Sequence, residues 1–207
     1  MNEQYHRQVT AEALGDQLNH EELEIVIKAN VGQDNVWNWL TTPERHYDGR
    51  FFAQAEAYID KERARAVDAF HGGDRVAALQ AMGRLLHTRQ DFYSHSNWMQ
   101  LCAAQGSTKD TARNTVNTTG WNASDPAICL DTQADRQIYA ARAPFLIHAL
   151  YLIPILGPLI KRIYLPADFH EAMHLDDPSR GPLFAPSLVA ARKHTRLEWE
   201  QVISALG

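Results

Sequence analysis

The sequence predicts an all-α fold: a multi-helix bundle forming one domain over residues 1–207. Three observations carry this. Apolar residues recur at the three- and four-residue steps of a helix in most segments. No stretch sustains apolar–polar alternation between turn signals, so no sheet is expected. A chain of 207 residues fills one full core and is too short for two comfortable ones.

In chain order, Thr10 is placed to cap a helix over Ala11–Leu18, with an acid in the first turn. His20–Ala29 follows, with Leu23, Ile25, Val26 and Ile27 as its apolar content. Asn30–Glu44 is polar, holds Gly32, Asp34 and Pro43, and reads as a loop. A long helix is expected from about Arg50 to Phe70, through Phe51, Phe52, Ala55, Tyr58, Ile59 and Ala66, ended by Gly72-Gly73. Asp74 caps the next helix, which carries Val76, Leu79, Met82, Leu85 and Leu86 up to His87. Its continuation supplies Tyr93, Trp98, Met99 and Leu101. Ser107–Asp131, rich in Thr, Asn and Asp, reads as a long excursion of the kind that is often functional. Ala134–Leu152 reads as a helix kinked near Pro144, and Val189–Leu206 as the closing helix.

Hydrophobic residues at 45% and charged residues at 22% are ordinary for a folded globular chain and argue against disorder. The net charge is -5 and no block of like charge stands out, so nothing marks a nucleic-acid footprint. Cys102 and Cys129 are too few and too far apart for a zinc–thiolate site; one disulfide and two free thiols both remain open. Met1–His6 is polar and lacks the basic-then-apolar pattern of a signal peptide. A cytoplasmic chain is expected, or one exported by a route independent of a signal peptide.

The stretch Ala143–Tyr164 is strongly apolar, but Pro144, Pro154, Gly157 and Pro158 interrupt it and His148 lies within it. A membrane span needs about 20 predominantly apolar residues in a row, so none is expected here. A buried helix with its turn is the favoured reading, because core helices far outnumber interfacial ones. An exposed flap that meets lipid or an apolar substrate is the other.

The richest segment is Leu86-His87-Thr88-Arg89-Gln90-Asp91-Phe92-Tyr93-Ser94-His95-Ser96-Asn97-Trp98. His87, Asp91 and His95 stand at i, i+4 and i+8. At about 100° per residue, each step of four drifts by only about 40°, so the three side chains share one helix face. Two imidazoles and a carboxylate on one face suit a borderline cation such as zinc. Histidine is also in excess, with 10 in the chain. Further donors recur elsewhere: His6 near the start, Asp34 and His46 in the polar stretch, and His170 ahead of Met173-His174-Leu175-Asp176-Asp177-Pro178. Helix bundles build metal sites by convergence of such separated groups.

That central segment resembles the core motif of the heterokaryon-incompatibility C proteins. These are related to the zinc-dependent phospholipases C and, more distantly, to fungal single-strand nucleases. His6 with Val9-Thr10-Ala11-Glu12-Ala13-Leu14 is similar to the family's first block. Ile27-Lys28-Ala29-Asn30, then Asp34, then His46-Tyr47-Asp48, resembles the next, and His170 through Pro178 the last. The resemblance implies an all-α fold of the phospholipase C type with one to three zinc ions in a cleft. Asp34, His46, His87 and Asp91 would hold a central ion, and Asp91 would bridge to a second held also by His6. His95 would serve a third with His170, or with the His194-x3-Glu198 pair as a competing companion. Two departures limit full occupancy. The amino-terminal tryptophan nitrogen used as a ligand by well-known zinc phospholipases has no counterpart in a chain starting Met1-Asn2. The step from Asp91 to His95 is also shorter than theirs.

The expected function is therefore hydrolysis of a phosphoester by metal-activated water, most like a phospholipase C, with Asp34 as general base or as the group orienting that water. The apolar 143–164 stretch favours a lipid-like substrate and peripheral membrane contact. A nuclease is the less favoured enzyme. Aromatics at Tyr93, Trp98 and Trp121 would serve as stacking platforms, but the acidic balance opposes a strand-binding groove. The non-enzymatic alternative is a recognition or signalling protein with structural zinc, as the heterokaryon-incompatibility resemblance also implies.

Overall fold

The structure is a computed structural model and describes residues 1–48, 51–107, 150, 153–165 and 170–207. It is all-α, with no β-strand among the described residues. The expected excursion over 107–131 and the helix over 134–152 lie, Ser107 and Leu150 apart, outside them. So do Trp121 and the pairing of Cys102 with Cys129.

Helix α1 spans Glu3–Leu14, so Thr10 lies inside it and does not cap it. The helix opens instead on Asn2, whose carbonyl accepts from the Tyr5 and His6 amides at 2.9 and 3.1 Å. One face buries His6, Val9, Thr10, Ala13 and Leu14, at the spacing of a single stripe. Helix α2, His20–Val31, starts on a reciprocal capping box: Asn19 Oδ1 accepts from the Glu22 amide, and Glu22 reaches back to the Asn19 amide.

The stretch expected as loop contains short helical turns, because local caps outweigh polar composition. Asn35 accepts from the Asn38 amide and opens α3, Val36–Thr41. Pro43 then starts a 3-10 turn, Pro43–His46. It ends on Tyr47, in the left-handed region at φ 56°. That turn sends the buried Tyr47 side chain into the core between two buried polar neighbours, His46 and Asp48.

Helix α4, Phe52–His71, buries Ala55, Ile59, Glu62 and Ala66 along one stripe and stops at Gly72-Gly73, with Gly73 at φ 76°. Asp74 caps α5, Arg75–His95, by accepting from the Ala77 amide. From Leu85 to His95 every residue of α5 is buried, polar ones included. Each of those polar groups needs an internal partner or a bound ion. Helix α5 does not run on through Trp98. Ser96 is extended, and its hydroxyl accepts from the Trp98 amide and starts a new helix, α6, Trp98–Ser107.

Helix α7 spans Leu156–Ile163, α8 is the single turn His170–Met173, and α9 is Phe184–Ser204. Helix α9 begins five residues before the expected Val189. Pro186 sits in its first turn, where its missing N–H removes no helical bond. Helix α5 is the central rod, packed by α2, α4 and α9, with α1 against α2 and α9. Leu14, Val26, Ile59, Leu79, Met82, Leu86, Tyr93, Trp98 and Val202 meet in one shared core.

The favoured reading of 143–164 as a buried helix is corrected where that stretch is described. Ile153, Ile155, Leu156, Leu159, Ile163 and Tyr164 are exposed, because α7 turns Gly157 inward rather than its apolar stripe. No helix among the described residues is long and apolar enough to cross a membrane.

Candidate metal centre

Four elements deliver the donors. Helix α5 carries His87, Asp91 and His95 on one face, as their spacing requires. Helix α1 lays His6 against them, its ring stacked on His87 with centroids 4.3 Å apart. The link from α2 to α3 contributes Asp34, and the 3-10 turn contributes His46. Helix α8 and the turn after it bring His170, His174 and Asp176.

The upper donor set is Asp34, His46, His87 and Asp91. His87 Nε2 lies 3.1 Å from Asp91 Oδ2, 3.0 Å from His46 Nδ1 and 3.6 Å from Asp34 Oδ1. His46 Nδ1 lies 3.3 Å from Asp91 Oδ2 and 3.7 Å from Asp34 Oδ1. Zinc–ligand bonds of about 2.0–2.1 Å give tetrahedral edges of about 3.3–3.4 Å, so these separations are those of two nitrogens and two oxygens around one small cation. His6 adjoins this set, with Nε2 3.2 Å from Asp91 Oδ1 and 3.9 Å from Asp34 Oδ2. Asp91 thus turns one oxygen to His46 and His87 and the other to His6.

The histidine orientations are fixed from outside. His6 Nδ1 donates to Gln90 Oε1 at 2.7 Å. Gln90 is held by Asn30, Thr10 and Thr195, all buried. His95 Nδ1 donates to the His46 carbonyl at 2.7 Å. In each ring Nδ1 donates outward and Nε2 faces the carboxylates, as in metal sites whose outer partners orient the ring; burial opposes charge on His95, but Asp91 and Asp176 outweigh it and raise that group. His6 Nε2 is buried, close to Asp91, and makes no hydrogen bond. A buried ring nitrogen aimed at carboxylates without a bond is an arrangement that a cation between them would resolve.

The lower set is Asp48, His95, His170, His174 and Asp176. His170 Nδ1 meets Asp48 Oδ1 at 3.2 Å and its Nε2 meets Asp176 Oδ2 at 3.4 Å. Asp176 also meets His95 Nε2 at 3.1 Å and His174 Nδ1 at 2.9 Å. The Met1 amino nitrogen is buried between the two sets, 2.8 Å from both Asp91 and Asp176 and 3.1 Å from His95 Nε2.

The two sets differ electrostatically. Burial pushes His87 down to about 4, against the pull of Asp91, which leaves a neutral ring with a lone pair to give. Burial opposes charge on His170 too, but Asp48 and Asp176 outweigh it and raise this group to about 10. Burial would raise Asp91, yet the Met1 amino group and His95, His87 and His6 hold it well below the ordinary carboxylate range. Asp176 is held low in the same way.

Every nominated residue, His6, Asp34, His46, His87, Asp91, His95 and His170, is brought into this pocket. The competing pair is not. Glu198 is bound by Arg63 and Arg89, and His194 Nδ1 takes the Tyr93 hydroxyl at 2.6 Å. Asp91 does not pair with Arg89 or Arg84, which serve Glu56 with Glu198 and Glu62 respectively. Asp48, His174 and Asp176 belong to the motif segments singled out from the sequence but are not among the ligands nominated there, although they stand two residues from His46 and four and six residues from His170. Gln90 carried no signal, since a glutamine within a helix reads as a surface residue.

Comparison with known proteins covers the upper set and two members of the lower one, Asp48 and His95. The family model described as the VWA7 N-terminal domain matches residues 3–136, which hold His6, Asp34, His46, His87, Asp91 and His95 but not His170 or Asp176. Human von Willebrand factor A domain-containing protein 7 is 37% identical over 76 residues, 37% of this chain and 8% of the relative. The rat and mouse proteins of that name are each 33% identical over the same length and shares. The chain thus aligns with under a tenth of the length of these curated relatives. No solved structure matches it. With well over half of its residues matched, the chain belongs to the VWA7 N-terminal domain family.

Proposed function

We propose that the chain is a zinc-dependent phosphoester hydrolase of the phospholipase C kind, with the upper donor set as its centre. The carrying observation is the close grouping of Asp34, His46, His87 and Asp91, with nitrogen–nitrogen and nitrogen–oxygen separations of 3.0–3.7 Å and His6 adjoining. When bound, a divalent cation supplies Lewis-acid activation of water and charge stabilisation at the phosphoryl oxygens. The chain's own residues do the rest. Asp34 is the open member, with 35% of its side chain exposed against 3% or less for its three companions, so substrate and water meet the site on its side. Its carboxylate takes the proton from the attacking water as the new P–O bond forms and the ester P–O bond breaks, and passes that proton to the departing alkoxide oxygen. The buried His46, His87 and Asp91 hold position and exclude bulk water. The Gln90 amide keeps the His6 lone pair inward.

A second reading is a recognition module with structural zinc. The lower set favours it, since Asp48 and His95 are enclosed and leave little open side for substrate. The deciding experiment is metal analysis of protein purified without added zinc, followed by assays on phosphatidylcholine liposomes and on single-stranded DNA. At least one zinc per chain is expected, with phosphocholine released. Asp34→Asn should keep the fold, weaken metal binding without abolishing it, and at saturating zinc still lose activity by about 10²–10⁴-fold, the usual worth of a general base. DNA nicking alone would replace the lipid substrate. Metal retained with no turnover on either would leave the structural reading, and metal-free folded protein would overturn both.

A further inference from the structure

The segment 153–165 inverts the usual arrangement of an amphipathic helix. In α7, Leu156, Leu159, Ile160 and Ile163 fall at i, i+3, i+4 and i+7 and form one apolar stripe. A surface helix ordinarily turns such a stripe to the core. Here Gly157, on another face, is the buried residue, while Leu159 is 54% and Ile163 77% exposed. The flanks extend the patch, with Ile155 91% exposed before the helix and Tyr164 53% after it. The only charged residues in 153–165 are Lys161 and Arg162, both basic, in a chain whose net charge is -5.

We propose that this segment docks on an anionic lipid surface, lying in the plane of the headgroups with its apolar stripe in the acyl boundary. The chemistry fits that occupant better than a protein groove. The stripe is short and flanked by a tyrosine suited to the headgroup level. The exposed Arg162 stands off the stripe, where it meets lipid phosphates while its stem covers apolar surface. Each basic residue near an anionic surface is worth about a fivefold gain in partitioning. The docking itself does not depend on what the donor sets bind.

The test is flotation of the full chain with phosphatidylcholine vesicles and with vesicles carrying added phosphatidylserine, with thermal melts and sedimentation run in parallel. Wild-type protein should float with the anionic vesicles, and more weakly with neutral ones. Leu159→Ser with Ile163→Ser should lower partitioning at least tenfold with an unchanged melting temperature. Arg162→Gln should lower it about fivefold on anionic vesicles only. Three results would overturn the proposal: no flotation of the wild type, flotation unaffected by the double substitution, or a large fall in its melting temperature, which would show the stripe packed within the chain. A wild-type dimer that the double substitution dissociates, without vesicle binding, would assign the face to a second copy instead.

Discussion

Gln90 shows how much one side chain decides. Its amide oxygen accepts from His6 and Asn30, and its nitrogen donates to Thr10 and Thr195. Gln90→Ala removes the group that fixes the His6 tautomer and strands buried hydroxyls. The expected loss is about 10–100-fold in metal affinity, read by chelator competition, with about 1–3 kcal/mol of stability, read by urea unfolding. His194 sets a second prediction. Burial, helped by the Arg89 and Arg63 charges, drives it down to about 2. The unfolded chain takes up a proton near 6.5 and the folded one does not. This contribution is therefore full above pH 6.5 and is lost as pH falls from there toward 2, at up to about 1.4 kcal/mol per unit. Comparing urea midpoints of the wild type and His194→Gln between pH 7 and 5 should show a shallower fall in the variant. At this scale the sequence was half legible. His87, Asp91 and His95 announce a shared face by spacing alone. Asp48 and Asp176 become donors only because a left-handed Tyr47 and the α8 turn place them opposite that face, and spacing along the chain does not carry such placement.

Among the elements, the approach of α2 to α5 is the tightest fit. A Cβ on Gly83 would stand 2.3 Å from the Val26 carbonyl, 2.6 Å from Ala29 Cβ and 2.9 Å from the Asn30 amide. Gly83→Ala should cost about 1–3 kcal/mol by overpacking. Because it displaces Asn30, a Gln90 partner, it should also weaken metal binding, which a truncating core substitution remote from Asn30 would leave intact. Calorimetric melts and metal titration of the same sample check both. Helix identity was largely readable, since α2, α4 and α5 follow their periodic stripes and caps. Boundaries were less so. Thr10 has the chemistry of a cap, but burial beside Gln90 gives its hydroxyl another task. Ser96 looked like a residue within a helix, yet its side chain ends one helix and starts the next.

Across the whole molecule, α4, α5 and α9 are joined by a second polar system, centred on the buried Arg89 and Glu198. Arg89 donates to both Glu56 oxygens and to Glu198, which Arg63 also binds. Removing one member of such a buried set leaves the others uncompensated. Glu198→Ala should cost about 3–5 kcal/mol, measured by urea unfolding, with zinc content per folded chain unchanged. This separates the clamp from the metal pocket on the other side of α5. The all-α class was legible from periodicity. The outward stripe of α7 was not, because the same pattern describes a buried helix, and only the inward Gly157 tells them apart.

Asp91 leaves one last consequence. Its carboxylate faces His46 and His87 with one oxygen and His6 with the other, so under the proposed reading two cations held on those sides would share a ligand. Cation uptake should then be cooperative, and its isotherm should collapse to independent binding in Asp91→Asn.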